Sequence, residues 1–298
     1  MEYRENPMFG RKIFFLNPPL SIENVVAENL KEKEFEVYII REYTLAKPLL
    51  KHYPNAICWI FIDDVLSFDA WYNFIKSFEY DDELKSIFIG ILTARAKPKD
   101  QETFILNLKL PGGFVRLDQK AEEVTNQLIG ILDLNGARGV RKYIRLDVDE
   151  TLDVNAYFSN GNNLYSFKLK DISPAGFAAI TPARLVNLFP KDAFIRNVSL
   201  TLDRYSFTCS IQIYNTTVIG NNCVVIAFFT DNTKKEIKKK IHDFIYQTLT
   251  TRNKILIEKL NRDNTDYNIR PAIDGIADEE IEEAEEVVEE NKAPADNA

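Results

Sequence analysis

The chain of 298 residues is poor in the side chains that build metal centres and reactive sites. It has three cysteines, Cys58, Cys209 and Cys223, and two histidines, His52 and His242. The cysteine count is odd, no pair has CxxC spacing, and each cysteine stands in an apolar or alternating run. We therefore expect small buried side chains and not a disulfide framework. With so few sulfur and imidazole ligands, the sequence predicts no metal and no other cofactor.

The sequence also lacks an apolar run of the roughly 18 residues needed to cross a bilayer. Its first twelve residues, MEYRENPMFGRK, carry charges and contain no apolar core of the kind found in a secretory signal. We expect a cytoplasmic protein without a membrane span. A composition of 45% hydrophobic and 28% charged residues is typical of a globular chain, and the length allows two domains.

The net charge of −8 comes from one segment. Residues 271–298 contain eleven Asp and Glu and one Lys, and removing their net −10 leaves the other 270 residues with a charge of +2. A nearly neutral body lacks the basic excess of a general duplex-DNA-binding protein. Residues 278–290 hold nine acids in thirteen positions, so repulsion is strong and little apolar area offsets the cost of ordering. We predict a disordered acidic tail over 271–298.

Strand-like and helix-like patterns alternate in the first 133 residues. Apolar runs occupy 12–16, 35–40, 57–62, 86–92 and 114–117, and apolar residues recur at helical spacing over 22–30, 67–78 and 121–134. Continuous apolar strands are typical of a parallel sheet covered on both faces. The alternation predicts a three-layer α/β domain over residues 1–133.

The pattern changes to all-β after Arg141. Short strand-like runs occupy 152–158, 164–169, 176–180, 193–202, 206–214 and 223–229, and the Asn-Gly-Asn-Asn at 160–163 predicts a hairpin turn. Many short strands joined by turns predict a small antiparallel barrel or sandwich, followed by a helix from about 232 to 260. Lysines near the start of this helix are expected to form a solvated face.

Two motifs lie in the β region. Arg141-Lys-Tyr-Ile-Arg145 opens it, and Asp171-Ile-Ser173-Pro-Ala-Gly176 lies at the end of its second strand. Taken singly, the arginines could simply pair with nearby aspartates, and the second motif could be an ordinary strand-to-turn exit. Taken together, in this order and setting, they resemble the PilZ domain, which binds the second messenger cyclic di-GMP. The resemblance covers residues 138–260.

The resemblance implies an antiparallel six-stranded PilZ-type β-barrel with a C-terminal helix over 141–262. It also implies that Arg141 and Arg145 grip phosphate and guanine and that Asp171 and Ser173 hold a guanine. The residue types suit this chemistry, because an Arg fork binds phosphate or guanine O6 and N7, and a carboxylate accepts from guanine N1–H and N2–H. Gly176 is expected to permit a positive φ or a close approach of the ligand. Arg138 is a possible additional contact.

The first domain is similar to a response-regulator receiver. Asp63-Asp64 follow the third strand, where a receiver keeps its phosphoacceptor, and Thr93 follows the fourth. The acidic pair that would hold Mg²⁺ after the first strand is replaced by Asn-Pro-Pro at 17–19, and Arg116 stands nearest the place of the receiver's lysine. We interpret this as a degenerate receiver in which Asp63 and Asp64 serve as helix N-terminal partners.

These patterns predict a cyclic di-GMP-binding sensor or effector and not an enzyme. Residues 134–145 are interpreted as a linker and ligand-switch segment, because two glycines and one charge at 134–140 leave little to hold it, so that ligand would change the interdomain arrangement. The resemblance implies motility regulation through a protein partner in flagellar or polysaccharide machinery, without nucleic acid. Two alternatives stay open: a phosphorylation-responsive receiver, and a barrel that binds single-stranded nucleic acid through Tyr143, Tyr157 and Phe158.

Overall fold

The computed structural model describes residues 10–265, which form two compact units. Of the described residues, 10–140 and 255–265 belong to one unit, and Arg141–Lys254 form the other. Across residues 10–265, none of the helices combines the length and the apolar character required to span a membrane. The tail at 271–298, predicted to be disordered, lies outside the described residues.

The first unit is built on a five-stranded parallel sheet. Its strands are β1 (Ile13–Leu16), β2 (Val37–Ile40), β3 (Ile57–Phe61), β4 (Phe88–Thr93) and β5 (Phe114–Arg116). They lie in the order β2-β1-β3-β4-β5, a doubly wound order that places the chain reversal between β1 and β3. The buried apolar runs of β1 and β3 follow from coverage on both faces. The predicted parallel α/β sheet is confirmed.

Helices cover both faces of this sheet. A π-helical turn, Ile22–Ala27, leads into α1 (Glu28–Glu32), followed by α2 (Ala46–Leu50), α3 (Phe68–Lys76), α4 (Pro98–Asn107) and α5 (Ala121–Leu134). Phe15 packs with Leu30 and Leu128 on one face, while Phe14 stacks on Tyr38 and lies against Tyr53 on the other. The sequence patterns missed α4, which buries Phe104 alone among its residues and therefore shows almost no apolar periodicity.

The second unit is a closed antiparallel barrel. Its strands are β6 (Leu146–Asp147), β7 (Val154–Asn160), β8 (Asn163–Ser173), β9 (Gly176–Pro182), β10 (Phe194–Leu202), β11 (Tyr205–Ile219) and β12 (Asn222–Phe229). Six of them follow the order β8-β7-β10-β11-β12-β9, and β9 pairs back with β8 to close the barrel. The short β6 adds to β8 from outside this ring. The predicted six-stranded barrel is confirmed.

The strands of the barrel alternate as a one-sided sheet requires. Val154, Ala156 and Phe158 point into the core, and the predicted hairpin turn forms with Gly161 at a φ of +60° between the paired Asn160 and Asn163. The C-terminal helix α6 (Lys235–Thr265) lays its apolar stripe on this core through the buried side chains Ile241, Phe244, Ile245 and Tyr246. Lys239 and Lys240 lie on its exposed face, as predicted.

The segment at 134–140 packs with the first unit. The backbone N–H of Arg11 donates to the carbonyl of Ala137 at 2.8 Å, and its Nε donates to the carbonyl of Asn135 at 2.8 Å. The N–H of Ala137 donates to Leu132 at 2.9 Å, and Ala137 is buried. From its glycines, the sequence suggested that few contacts hold this segment in place. The contacts with Arg11 could not be predicted, because a partner so distant along the chain leaves no local pattern.

Candidate functional site

The two arginine and aspartate motifs come together through the short pairing of β6 with β8. Leu146 lies opposite Ile172, and Asp147 lies opposite Asp171. This register brings the Arg141–Arg145 segment alongside the end of β8. Asp171 follows Arg145 by 26 residues in the sequence. Arg145 Nη1 lies 3.6 Å from Asp171 Oδ1. Two of the five predicted ligand residues therefore form an ion pair, and Arg141 lies near enough for both to act on it electrostatically.

The electrostatics of this cluster are those of two cations sharing acidic neighbours. Burial lowers the pKa of the Arg141 guanidinium, the nearby charge of Arg145 lowers it further, and Asp171 and Asp147 oppose the shift. A guanidinium stays protonated despite such a shift. The Arg145 side chain is 39% exposed and that of Asp171 is 16% exposed. The partly exposed guanidinium of Arg145 can offer charge-assisted hydrogen bonds to an anion that competes with Asp171.

Ser173 and Gly176 lie next to this cluster, at the β8–β9 turn. Ser173 is buried, and its Oγ donates to the carbonyl of Gly176 at 3.1 Å. Of the two expectations for Gly176, a positive φ is wrong, since its φ lies outside that region, and a close approach of the ligand stays a prediction. A Cβ on Gly176 would lie 2.1 Å from the carbonyl oxygen of Ala227 on β12. The glycine is needed for the close approach of two strands, and the space beside it holds backbone.

Arg138, the predicted additional contact, belongs to the first unit. Its Nη1 donates to the carbonyl of Lys33 at 2.9 Å, its Nε lies 3.4 Å from Asp133 Oδ1, and its guanidinium lies 4.2 Å from the centre of the Phe35 ring. These contacts hold the side chain on the α/β unit. The contact of Arg138 with the ligand stays a prediction.

Arg252 on α6 is a residue of this region that sequence reasoning missed. Its Nη1 donates to the carbonyl of Asp147 at 3.0 Å, and its Nη2 contacts Asp149 Oδ2 at 2.5 Å. Asp149 also accepts from Thr151, and these hydrogen bonds, followed by the charge of Arg252, hold the pKa of Asp149 below its usual value. The partners are more than 100 residues apart, so no local pattern connects them.

The acidic end of β3 in the first unit is saturated by donors. Asp63 accepts from the hydroxyl of Thr93, from the backbone N–H of Ala94 at 2.6 Å and from that of Arg95 at 3.1 Å. The expected helix-capping role of Asp63 and Asp64 is wrong, because the side chain of Ser67 caps α3 by accepting from Ala70 N–H at 3.2 Å. Asp63 instead anchors the loop after β4.

Other polar groups at this end of the sheet are also paired. Arg116 donates to the carbonyl of Ala96 at 2.5 Å and contacts Asp118 Oδ2 at 2.8 Å. Asp64 Oδ1 accepts from the N–H of Val65 at 2.8 Å. A phosphoacceptor needs a carboxylate oxygen that can attack a donor. The three donors on Asp63 weigh against that role.

The aromatic residues proposed to stack on nucleic acid are divided. Phe158 is buried and stacks on Phe167 and Tyr165 inside the barrel unit, so its face is not offered to a base. Tyr157 is 37% exposed on the outer face of the same strand. Stacking platforms for single strands use several exposed rings in a row. Phe158 therefore cannot belong to such a row.

No protein-family model matches the chain, and no curated protein is significantly similar to it. Among solved structures, it is similar to the K. pneumonia MrkH–c-di-GMP complex at 21% identity and a TM-score of 0.33, over 35% of this chain and 49% of that one. It is also similar to the c-di-GMP-bound PilZ domain of Escherichia coli YcgR (16%, TM-score 0.29, 43% and 98%). A third similar structure is Borreliella burgdorferi PlzA with c-di-GMP (20%, 0.28, 43% and 50%). The chain thus spans about half the length of MrkH and PlzA. Scores this low transfer no ligand and no partner to this chain.

Proposed function

We propose that the barrel unit binds cyclic di-GMP and that the protein is a sensor or effector for this ligand and not an enzyme. The observation that carries the proposal is the juxtaposition of Arg141 and Arg145 with Asp171, in which Arg145 Nη1 lies 3.6 Å from Asp171 Oδ1. Ser173 lies two residues further along β8. The resemblance of both motifs to those of the PilZ domain supports the same ligand.

The chemistry of the ligand matches this cluster in charge and in hydrogen bonding. Each phosphate can accept two parallel hydrogen bonds from a guanidinium. At 3.6 Å the Arg145–Asp171 pair is longer than a charge-assisted hydrogen bond of about 2.7–2.9 Å. A phosphate can therefore replace Asp171 as the partner of Arg145 at little cost. The released carboxylate then accepts from the N1–H and N2–H of a guanine, which supplies base specificity.

The protein's response is proposed to start at Arg141. The boundary between the two units falls between Val140 and Arg141, directly before the arginine motif. Ligand binding would clamp Arg141 and Arg145 onto the barrel, change the arrangement of the units and alter docking to a protein partner. Residues 134–140 already have hydrogen bonds within the first unit, so amide exchange should slow from residue 141 onward and not before.

Calorimetric titration of the intact protein with cyclic di-GMP tests the proposal. Arg141→Ala and Arg145→Ala should each weaken binding roughly 10- to 100-fold, because each removes a charge-assisted contact of about 1.5–3 kcal/mol. Asp171→Ala should weaken binding less than either arginine variant does. It should also abolish the preference for cyclic di-GMP over cyclic di-AMP, because the acceptor for guanine is gone.

Arg196→Ala is the matched control, since Arg196 is an exposed arginine on β10, which is two strands away from β8 in the barrel. It removes the same charge and should leave the affinity unchanged. Wild-type affinity in the Arg141→Ala/Arg145→Ala double variant would show that the site is elsewhere. Binding of a single-stranded oligonucleotide but not of cyclic di-GMP would favour the nucleic-acid alternative.

A further inference from the structure

Arg252 joins helix α6 to the backbone just after the arginine motif. The Arg252 guanidinium donates through Nη1 to the carbonyl of Asp147 at 3.0 Å and contacts Asp149 Oδ2 at 2.5 Å through Nη2. One planar group thus bridges the backbone of β6 and a side chain just beyond it. A lysine, which presents a compact point charge, cannot reproduce this two-pronged contact.

The backbone that Arg252 holds is the one that sets the register of the cluster. Asp147 lies opposite Asp171 in the β6–β8 pairing, and the next residue, Val148, donates its N–H to the carbonyl of Lys170 at 2.9 Å. Arg145 precedes Asp147 by two residues. A pairing of only two residues has few hydrogen bonds of its own, so an added anchor on Asp147 matters for the position of Arg145.

The helix that carries Arg252 is itself packed on the barrel core. The helix carries the buried side chains Ile241 and Ile245 on the barrel core, and the Arg252 side chain is 33% exposed. Asp149 is itself fixed, since its Oδ1 accepts from the N–H of Thr151 at 3.0 Å. The chain of contacts therefore runs from the arginine motif through Asp147 and Arg252 to the helix, within one compact unit.

We propose that Arg252 is a positioning residue that holds the end of the arginine motif in register with β8 and couples occupancy of the Arg141–Arg145 cluster to helix α6. This inference rests on the proposed function. Engagement of Arg141 and Arg145 by ligand stiffens the backbone at Asp147, and the guanidinium passes that restraint to the helix. Without Arg252 the ligand still meets both arginines, but the helix no longer responds.

Hydrogen exchange of the full chain, with and without cyclic di-GMP, tests this coupling. In the wild type, ligand should slow exchange both at 141–148 and at 245–254. In Arg252→Gln the slowing at 141–148 should persist while that at 245–254 disappears, and the affinity should fall by about threefold to tenfold. Arg252→Lys should restore the charge but not the response. Lys240→Gln removes a charge from the exposed face of the same helix and should behave as the wild type.

The free protein provides a test that needs no ligand. Arg252→Gln should speed exchange of the Val148 amide severalfold in the absence of nucleotide, because β6 loses its anchor. An unchanged Val148 amide, or a ligand response of the helix that survives in Arg252→Gln, would overturn the inference. If the wild type does not bind cyclic di-GMP at all, the proposed function fails and the coupling fails with it. The Val148 result then shows separately whether Arg252 anchors β6.

Discussion

Asp63 and Asp171 each stand at or near the end of a β-strand, in different units, and they differ in what satisfies them. Asp63 accepts from the Thr93 hydroxyl and from two backbone amides, at 2.6 and 3.1 Å. Asp171 Oδ1 instead lies 3.6 Å from Nη1 of Arg145, a long side chain. Backbone amides cannot leave without unfolding the loop that carries them, whereas a long side chain can exchange partners.

Under the proposed function, the difference teaches how the same residue type serves structure in one unit and recognition in the other. In the α/β unit the donors on Asp63 hold the loop after β4, so the carboxylate is part of the fold. In the barrel, Arg141 has the acidic neighbours Asp171 and Asp147, and in our proposal a dianion takes their place beside the arginines. A motif therefore predicts chemistry only when the partners of its side chains can be displaced.

The largest expected effect concerns Gly176, for which the structure shows a packing role between strands. Gly176→Ala places a Cβ 2.1 Å from the Ala227 carbonyl, and we expect the free energy of unfolding to fall by about 3 kcal/mol. Gly130→Ala in α5 is the matched control. Its Cβ meets nothing within 4 Å, so the change should stabilise the protein by about 0.5–1 kcal/mol. Urea unfolding measures both.

A Gly176→Ala variant that is as stable as the wild type but binds cyclic di-GMP poorly would reverse this assignment. It would mean that β8 and β9 can shift to accept the methyl group and that the ligand occupies the space beside the turn. The comparison between the units would then weaken, because a residue of the barrel motif would act on the ligand directly.

A smaller effect is expected at the saturated carboxylate. Asp63→Ala leaves the buried Thr93 hydroxyl and the Ala94 amide without their acceptor, and it should lower the free energy of unfolding by about 2 kcal/mol. Affinity for cyclic di-GMP should stay at the wild-type value in calorimetry. Mass spectrometry after incubation with acetyl phosphate and Mg²⁺ should find no phosphoryl adduct. An adduct on Asp63 would make the α/β unit a working phosphoreceiver.

Most of the architecture could be predicted from the sequence, because it depends on local patterns. The buried run of β3 and the alternation of β7 are periodic signals that survive in any tertiary context. Helix α4 was missed because it buries only Phe104, although Pro98 at its first turn and Asp100, which accepts from Lys97 N–H at 3.0 Å, are start signals. A helix without an apolar stripe has no periodicity to read.

The charged cluster was less predictable, because it depends on partners distant in sequence. The motif spacing indicated Arg145 and Asp171, and they lie together. The contacts of Arg138 with Lys33 and of Arg252 with Asp147 each join residues 105 positions apart, so only the fold reveals them. The packing role of Gly176 could not be predicted for the same reason, since its neighbour Ala227 is on β12.

The smallest expected effect concerns the thiols, which let the two units be compared within one molecule. Cys58 in β3 and Cys209 and Cys223 in the barrel are buried, as the sequence predicted. Burial raises the pKa of Cys209 to about 12 and that of Cys58 further. At pH 8 the native thiols should therefore be protonated and should react with a thiol reagent only when their unit opens.

The pKa shifts also set the sign of a pH effect. A thiol whose folded pKa is raised stabilises the native state at pH values below the unfolded pKa of about 8.5, and this contribution is lost as the pH rises further. We expect the free energy of unfolding to decline gradually above about pH 9. Serine at Cys58, Cys209 or Cys223 should reduce the decline because it removes the ionising group.

Ligand should change the labelling rates of the thiols in one unit and not in the other. Cyclic di-GMP binds the native barrel unit in our proposal, so saturating ligand should slow labelling of Cys209 and Cys223 while labelling of Cys58, in the α/β unit, continues at its former rate. Mass spectrometry of labelled peptides gives the three rates from one sample. Equal slowing at all three cysteines would mean that the two units open as one, and the contrast between an inert and a responsive half of the molecule would no longer hold.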